Sequence, residues 1–155
     1  MTVSFVSHAT GNAIVIASDH AGYALKMQLS AFLQENGVAI EDLGTNSEAS
    51  VDYPDFGYAL ASAIEGGKAP KGILICGSGI GISIAANRNP AVRCALCHDG
   101  LCAELARRHN DANVLALGAR LIGIETAKET ALRFLNTEFE GGRHLGRVEK
   151  LGNPS

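Results

Sequence analysis

The sequence predicts a single three-layer α/β/α domain built on a five-stranded parallel sheet. Short, unbroken apolar runs alternate with segments of helical periodicity along the chain. The runs lack the apolar–polar alternation of half-exposed strands, so they read as parallel strands covered on both faces. No repeat, low-complexity tract or linker interrupts the 155 residues, a length that suits one domain with a full core.

Residues 1–12 are polar, lack a signal-peptide apolar core and read as a flexible leader to a domain over 13–155. Residues 13–18 (AIVIAS) form the first strand. Tyr23 to Glu35 is helical, because Leu25, Leu29, Phe32 and Leu33 recur at three- and four-residue steps, and Gly37 stops it. Residues 38–43 give a second strand and 44–54 a polar loop. Residues 55–65 form a helix with Phe56, Leu60 and Ile64 inward, ended by Gly66-Gly67. Residues 72–76 are the third strand, with a helix over 79–87. Residues 92–96 are the fourth strand, with a helix over 99–109. Residues 114–117 are the fifth strand, with a helix over 122–134. The tail from Glu138 is charged and glycine-containing, with a short helix near Val148. Strand, turn and helix in this order make the domain Rossmann-like.

Composition narrows the function. A net charge of −3 leaves no general basic field for nucleic acid. No apolar run approaches the ~20 residues that span a bilayer. Arginines nevertheless cluster late, at 107, 108, 120, 143 and 147, a local anion-binding signal. Four cysteines in a chain with this much core do not suggest a disulfide framework, and the cytoplasm is the expected compartment. Cys94 and Cys97 have CxxC spacing, with His98 and Cys102 nearby. Residues three apart on a strand face opposite sides, so packing is favoured over zinc.

Open α/β sheets bind ligands beyond the carboxyl ends of their strands. Read that way, the chain offers Asp19 and His20, then Asp52 and Tyr53, then Cys76-Gly77-Ser78-Gly79-Ile80-Gly81, then His109, Asn110 and Asp111, then Arg120. The glycine loop departs from the dinucleotide fingerprint in spacing and position, and no P-loop lysine follows it. Cys76 beside a glycine cradle can act as a nucleophile or a base. Ser78 can bind a substrate oxygen or cap the helix. His109, at the carboxyl end of a helix, is suited to act as a general acid. Arg143 and Arg147, four apart, share a face if helical and suit a phosphate.

Six segments resemble the type B ribose-5-phosphate isomerases, within the wider family that includes galactose-6-phosphate isomerase subunits. They begin Ala17-Ser-Asp-His, Val51-Asp-Tyr-Pro, Gly72-Ile-Leu-Ile-Cys-Gly-Ser-Gly, Arg108-His-Asn-Asp, Asn113-Val-Leu-Ala and Glu140-Gly-Gly-Arg-His, spanning nearly everything after the leader. Ser78 stands where many members have threonine. The resemblance implies metal-free and cofactor-free interconversion of ribose 5-phosphate and ribulose 5-phosphate through a cis-enediolate. Cys76 would be the base, with Ser78 in support, and the N–H groups of Gly77, Ser78, Gly79, Ile80 and Gly81 would hold the enediolate. His109 would open the furanose ring, with Asn110 beside it. Asp19, His20 and Tyr53 would contact the sugar; Arg120, Arg143 and Arg147 would bind the phosphate. It also implies a homodimer or tetramer whose sites mix residues of both subunits. A hexose 6-phosphate isomerase, for galactose or allose 6-phosphate, and a noncatalytic sugar-phosphate binder are the alternatives.

Overall fold

The computed structural model describes residues 13–154; the expected leader, residues 1–12, lies outside the described residues. β1 (Ala13–Ser18), β2 (Ala39–Asp42), β3 (Lys71–Cys76), β4 (Cys94–Leu96) and β5 (Val114–Gly118) form one parallel sheet in the order β2-β1-β3-β5-β4. β5 therefore inserts between β3 and β4, in register Gly72 with Val114 and Cys76 with Gly118. Burial explains the order. β5 is buried at all five positions, whereas β4 is three half-buried residues, as an edge strand can be.

The two faces are covered separately. On one, Ile14, Ile16, Ile73, Ile75, Leu115 and Leu117 meet α1 (Tyr23–Glu35), α4 (Gly100–Asn110) and α5 (Ile124–Asn136). On the other, Val15, Ala17, Leu74, Cys76, Val114 and Ala116 meet α2 (Tyr53–Glu65) and α3 (Ile80–Ala86). Successive strand residues point to opposite faces, so each central strand feeds both cores. A 3-10 turn (Gly142–His144) and α6 (Leu145–Leu151) close the chain, and α6 is the short helix expected near Val148.

Several boundaries differ from the sequence reading. α2 starts at Tyr53 rather than Asp55, because Pro54 fits the first turn of a helix. β4 starts at Cys94 rather than Val92, and the preceding residues bond elsewhere: the Arg93 N–H donates to the Asn113 side chain. α5 starts at Ile124, capped by Gly123.

Lys26 of α1 is fully buried, although helical periodicity alone gives it no core role. Its ammonium donates to Asp42 Oδ1 at 2.7 Å and to the Thr45 carbonyl. Thr45 in turn donates its N–H to the Ser18 carbonyl, and Gly44 accepts from the Ser18 N–H. The lysine thus ties the loop after β2 to the end of β1. Replacing it with Met keeps the apolar stem but leaves the Thr45 carbonyl without its donor and Asp42 with the Gly44 N–H but no cation. Asp42 keeps some solvent contact, so Lys26→Met should cost about 2 kcal/mol, below the range for fully buried pairs. A urea midpoint equal to that of the wild type would refute this role.

Candidate active site

Two groups of chemically competent side chains occupy opposite ends of the sheet. The first gathers at the carboxyl ends of β1 and β3. The Asp19 N–H donates to the Ile75 carbonyl, and buried Asp19 accepts from the Gly22 N–H at 3.0 Å. His20 Nδ1 accepts from the Val51 N–H at 3.1 Å, which leaves Nε2 to carry the ring proton when the imidazole is neutral. Cys76 ends β3 and is 4% exposed. Its Sγ accepts from the Gly79 N–H at 3.1 Å.

The loop can take this shape only with glycine at 79. Its φ is +78°, and a Cβ there would stand 2.5 Å from a Leu96 methyl and 2.9 Å from the Leu117 carbonyl carbon. Among the described residues, the N–H groups of Gly77, Ser78 and Gly81 have no acceptor, so they form a small field of free donors beside the sulfur. Ser78 Oγ accepts from the Ile80 N–H at 3.2 Å, so the hydroxyl supports the loop and keeps its own proton to donate. The Tyr53 ring lies over Gly81, and the Arg120 guanidinium lies against Gly77. The Arg120 N–H donates to the Gly77 carbonyl, which fixes the two segments together.

The second group lies at the amino ends of the strands. α4 runs back across the sheet, so its last turn, with His109 and Asn110, ends just before β5 begins. Asp111 turns the chain in the left-handed region (φ 45°), held by Arg107 at 3.0 Å. The Asn113 carbonyl accepts from the Gly72 N–H, at the start of β3. Cys76 is four residues further along that strand, about 13 Å at the usual strand rise. His109 and Asn110 therefore do not join Cys76 within one chain. Placing His109, Asn110 and Asp111 with the groups beyond the carboxyl ends of the strands is corrected: a crossover helix runs antiparallel to its strands, so its carboxyl end reaches the opposite edge.

The tail joins His109. The Glu140 N–H donates to the Arg108 carbonyl, and Arg108 Nε donates to Glu140 Oε2 at 2.8 Å. His109 Nε2 stands 3.9 Å from the same oxygen. The His144 ring stacks on the His109 ring, centroids 4.6 Å apart. The hydrogen bond from Arg108 holds Glu140 below the usual carboxylate range. Burial, with His109 and Arg143 adding, holds His144 below the usual histidine range. Arg143 lies in the 3-10 turn and Arg147 in α6, so they occupy consecutive helical segments rather than one helix. Arg93, Arg107, Arg108 and Arg133 all pair with carboxylates; among the described residues Arg88, Arg120, Arg143 and Arg147 do not. Glu140 and His144 were visible in the sequence only as members of the Glu-Gly-Gly-Arg-His segment. Nothing in the spacing ties them to His109.

The CxxC cysteines part as expected: Cys94 packs on the α2–α3 face and Cys97 on the α1–α4–α5 face. Burial pushes the Cys94 thiol up to about 12, and burial, with hydrogen bonding to Cys102, also raises Cys97.

A thiol and a donor-lined loop stand at the carboxyl edge of the parallel sheet, with Arg120 against the loop. The family described as Ribose/Galactose Isomerase matches residues 14–151. The chain belongs to that family. It is 46% identical over 138 residues to ribose-5-phosphate isomerase B of Escherichia coli, covering 89% of this chain and 93% of that one. It is 45% identical over 140 residues to a D-erythrulose-4-phosphate isomerase of Pectobacterium atrosepticum, covering 90% and 92%. The solved ribose-5-phosphate isomerase B of Clostridium thermocellum superposes with a TM-score of 0.89 at 48% identity, covering 90% of this chain and 95% of that one. Among the described residues no helix is long and apolar enough to cross a membrane.

Proposed function

We propose that the protein interconverts D-ribose 5-phosphate and D-ribulose 5-phosphate through a cis-enediolate, with Cys76 as the base, in sites assembled from two copies of the chain. The observation that carries the chemistry is the Gly79 N–H donated to Cys76 Sγ inside a loop of free N–H groups. A donor on sulfur serves a thiolate better than a thiol. The thiolate takes the C2 proton of the open-chain aldose. The C–H electron pair forms the C1–C2 double bond, and O1 becomes the enediolate oxygen held by the loop. The Cys76 thiol, its proton exchanged with solvent, then protonates C1; the O2 hydroxyl proton passes to O1, and the O2 electrons re-form a carbonyl at C2, giving the ketose. Each step uses protons and fixed donors alone, so the scheme requires no metal or redox cofactor.

The supporting argument for two copies is the separation of the two groups. Cys76, Asp19, His20, Tyr53 and Arg120 supply one half. His109, Asn110, Arg143 and Arg147 supply the other, at the far edge of the sheet. A two-fold dimer that sets each half against its counterpart makes two complete sites from four half-sites. Exposed Ile80 and Ile84, one turn apart on α3 beside the glycine loop, offer apolar surface for such an interface. In the assembled site, the partner's His109 protonates the ring oxygen as its bond to C1 breaks, and the anomeric hydroxyl gives up its proton to solvent to form the open-chain aldehyde. The arginines hold the phosphate, and that remote grip orients C1 and C2 against the sulfur. A mechanism that depends on a free Cys76 thiol suits a reducing compartment, in keeping with a cytoplasmic location.

The test is turnover of ribose 5-phosphate in deuterated water, beside erythrulose 4-phosphate, allose 6-phosphate and galactose 6-phosphate. Ribulose 5-phosphate should form with solvent deuterium incorporated at C1. Product free of deuterium would indicate hydride transfer and remove the enediolate. A higher kcat/KM for a tetrose or hexose phosphate would move the substrate assignment.

A further inference from the structure

We propose that His109, Glu140 and His144 form a binding site for a zinc-class divalent cation, and that filling it switches the enzyme off. Their ligand atoms, two imidazole nitrogens and a carboxylate oxygen, all lie within 4.8 Å of one another. Around tetrahedral zinc, with bonds of about 2.0–2.1 Å, neighbouring ligand atoms stand roughly 3.3 Å apart. His109 Nε2 and Glu140 Oε2, at 3.9 Å, are already close to that spacing.

Two of the three groups are held in place. Arg108 grips Glu140 through Oε2 at 2.8 Å, and the Glu140 backbone is tied to the Arg108 carbonyl. Such outer contacts fix a ligand before the metal arrives. His144 is buried, and its backbone N–H donates to the Gly141 carbonyl. His109 is the adjustable member, since its side chain is 38% exposed. The imidazoles stack with 18° between their planes, so their in-plane lone pairs run side by side. Tilting the His109 ring off the stack turns its lone pair toward the other two ligands.

The donor set selects the metal. Two imidazoles and one carboxylate suit zinc, cobalt or nickel and not magnesium or calcium, which take oxygen ligands. Three protein ligands leave a fourth position open. Arg143 Nε donates to His144 Nε2 at 3.5 Å, a contact that a metal on that nitrogen replaces, and the released guanidinium favours an anion or hydroxide at the open position. Once bound to a metal, the His109 nitrogen cannot deliver a proton. The loss of activity rests on the reading of His109 as the ring-opening acid; the binding itself does not.

The experiment is zinc titration of the wild-type protein by calorimetry, with activity measured in parallel and restored with a chelator. Glu140→Gln, His144→Gln, Cys76→Ser and Cys102→Ser are titrated beside it. One zinc per chain should bind in the micromolar range, with affinity at least about tenfold weaker in Glu140→Gln and His144→Gln and unchanged in the cysteine variants. Binding that weakens in a cysteine variant and not in Glu140→Gln would overturn the site, as would no binding below millimolar zinc. Binding that follows the predicted variants but leaves ribose 5-phosphate turnover intact would uphold the site and remove His109 as the acid.

Discussion

Cys76→Ala should lower kcat for ribose 5-phosphate isomerisation by about 10³-fold, within the range that removal of a positioned acid or base produces. The thiol is the one titratable group that the β3 carboxyl end delivers to the donor loop, and it is 4% exposed. Cys76→Ser should be nearly as inactive, because a serine hydroxyl in the same place is too weak a base for a carbon acid. KM should change by no more than a few fold, since the arginines proposed to hold the phosphate are untouched. That split separates loss of the base from loss of the fold. The loop shape itself is set by Gly79, not by the sulfur, so the variant should remain folded and bind substrate. A Cys76→Ala enzyme retaining a tenth or more of wild-type kcat would end the assignment of Cys76 as base.

The layered fold was legible because its signal is local. Each buried strand is an unbroken apolar run, and each helix carries its own periodicity. Strand order is not a local property. The sequence nevertheless held a clue in β5, whose residues Val114–Gly118 are apolar throughout, next to the three residues of β4. The site divides the same way. Asp19, His20, Tyr53 and Cys76 follow strand ends or open the next helix, so reading strand termini finds them. His109 and Asn110 end a helix, and the direction of a crossover helix should have sent them to the other edge. The placement of His144 and Glu140 beside His109 came from a tail that folds back through Arg108, a contact across 32 residues that no periodicity encodes. Lys26 was missed for a related reason: its partners Asp42 and Thr45 lie at the end of the next strand and in the loop after it. A buried ammonium becomes readable only when its acceptors are placed.

The separation of the two half-sites leads to the second large effect. Cys76→Ala and His109→Ala should each be nearly inactive as pure proteins. Mixed after unfolding and refolding together in equal amounts, they should regain about a quarter of wild-type activity. Random pairing makes half of the dimers heterodimers. Each heterodimer holds one site with both lesions and one with neither, so half of its sites work. The gain cannot come from altered folding of either variant, since each chain keeps its own lesion. It requires that Cys76 of one chain and the partner's His109 act in one site. The same mixture with a double variant, Cys76→Ala/His109→Ala, in place of one partner supplies the control, because no combination then yields an intact site. Activity of the first mixture no higher than that of this control would show that the two residues do not meet across an interface. His109, at the opposite end of the strands from Cys76 in its own chain, would then not be the acid of this site.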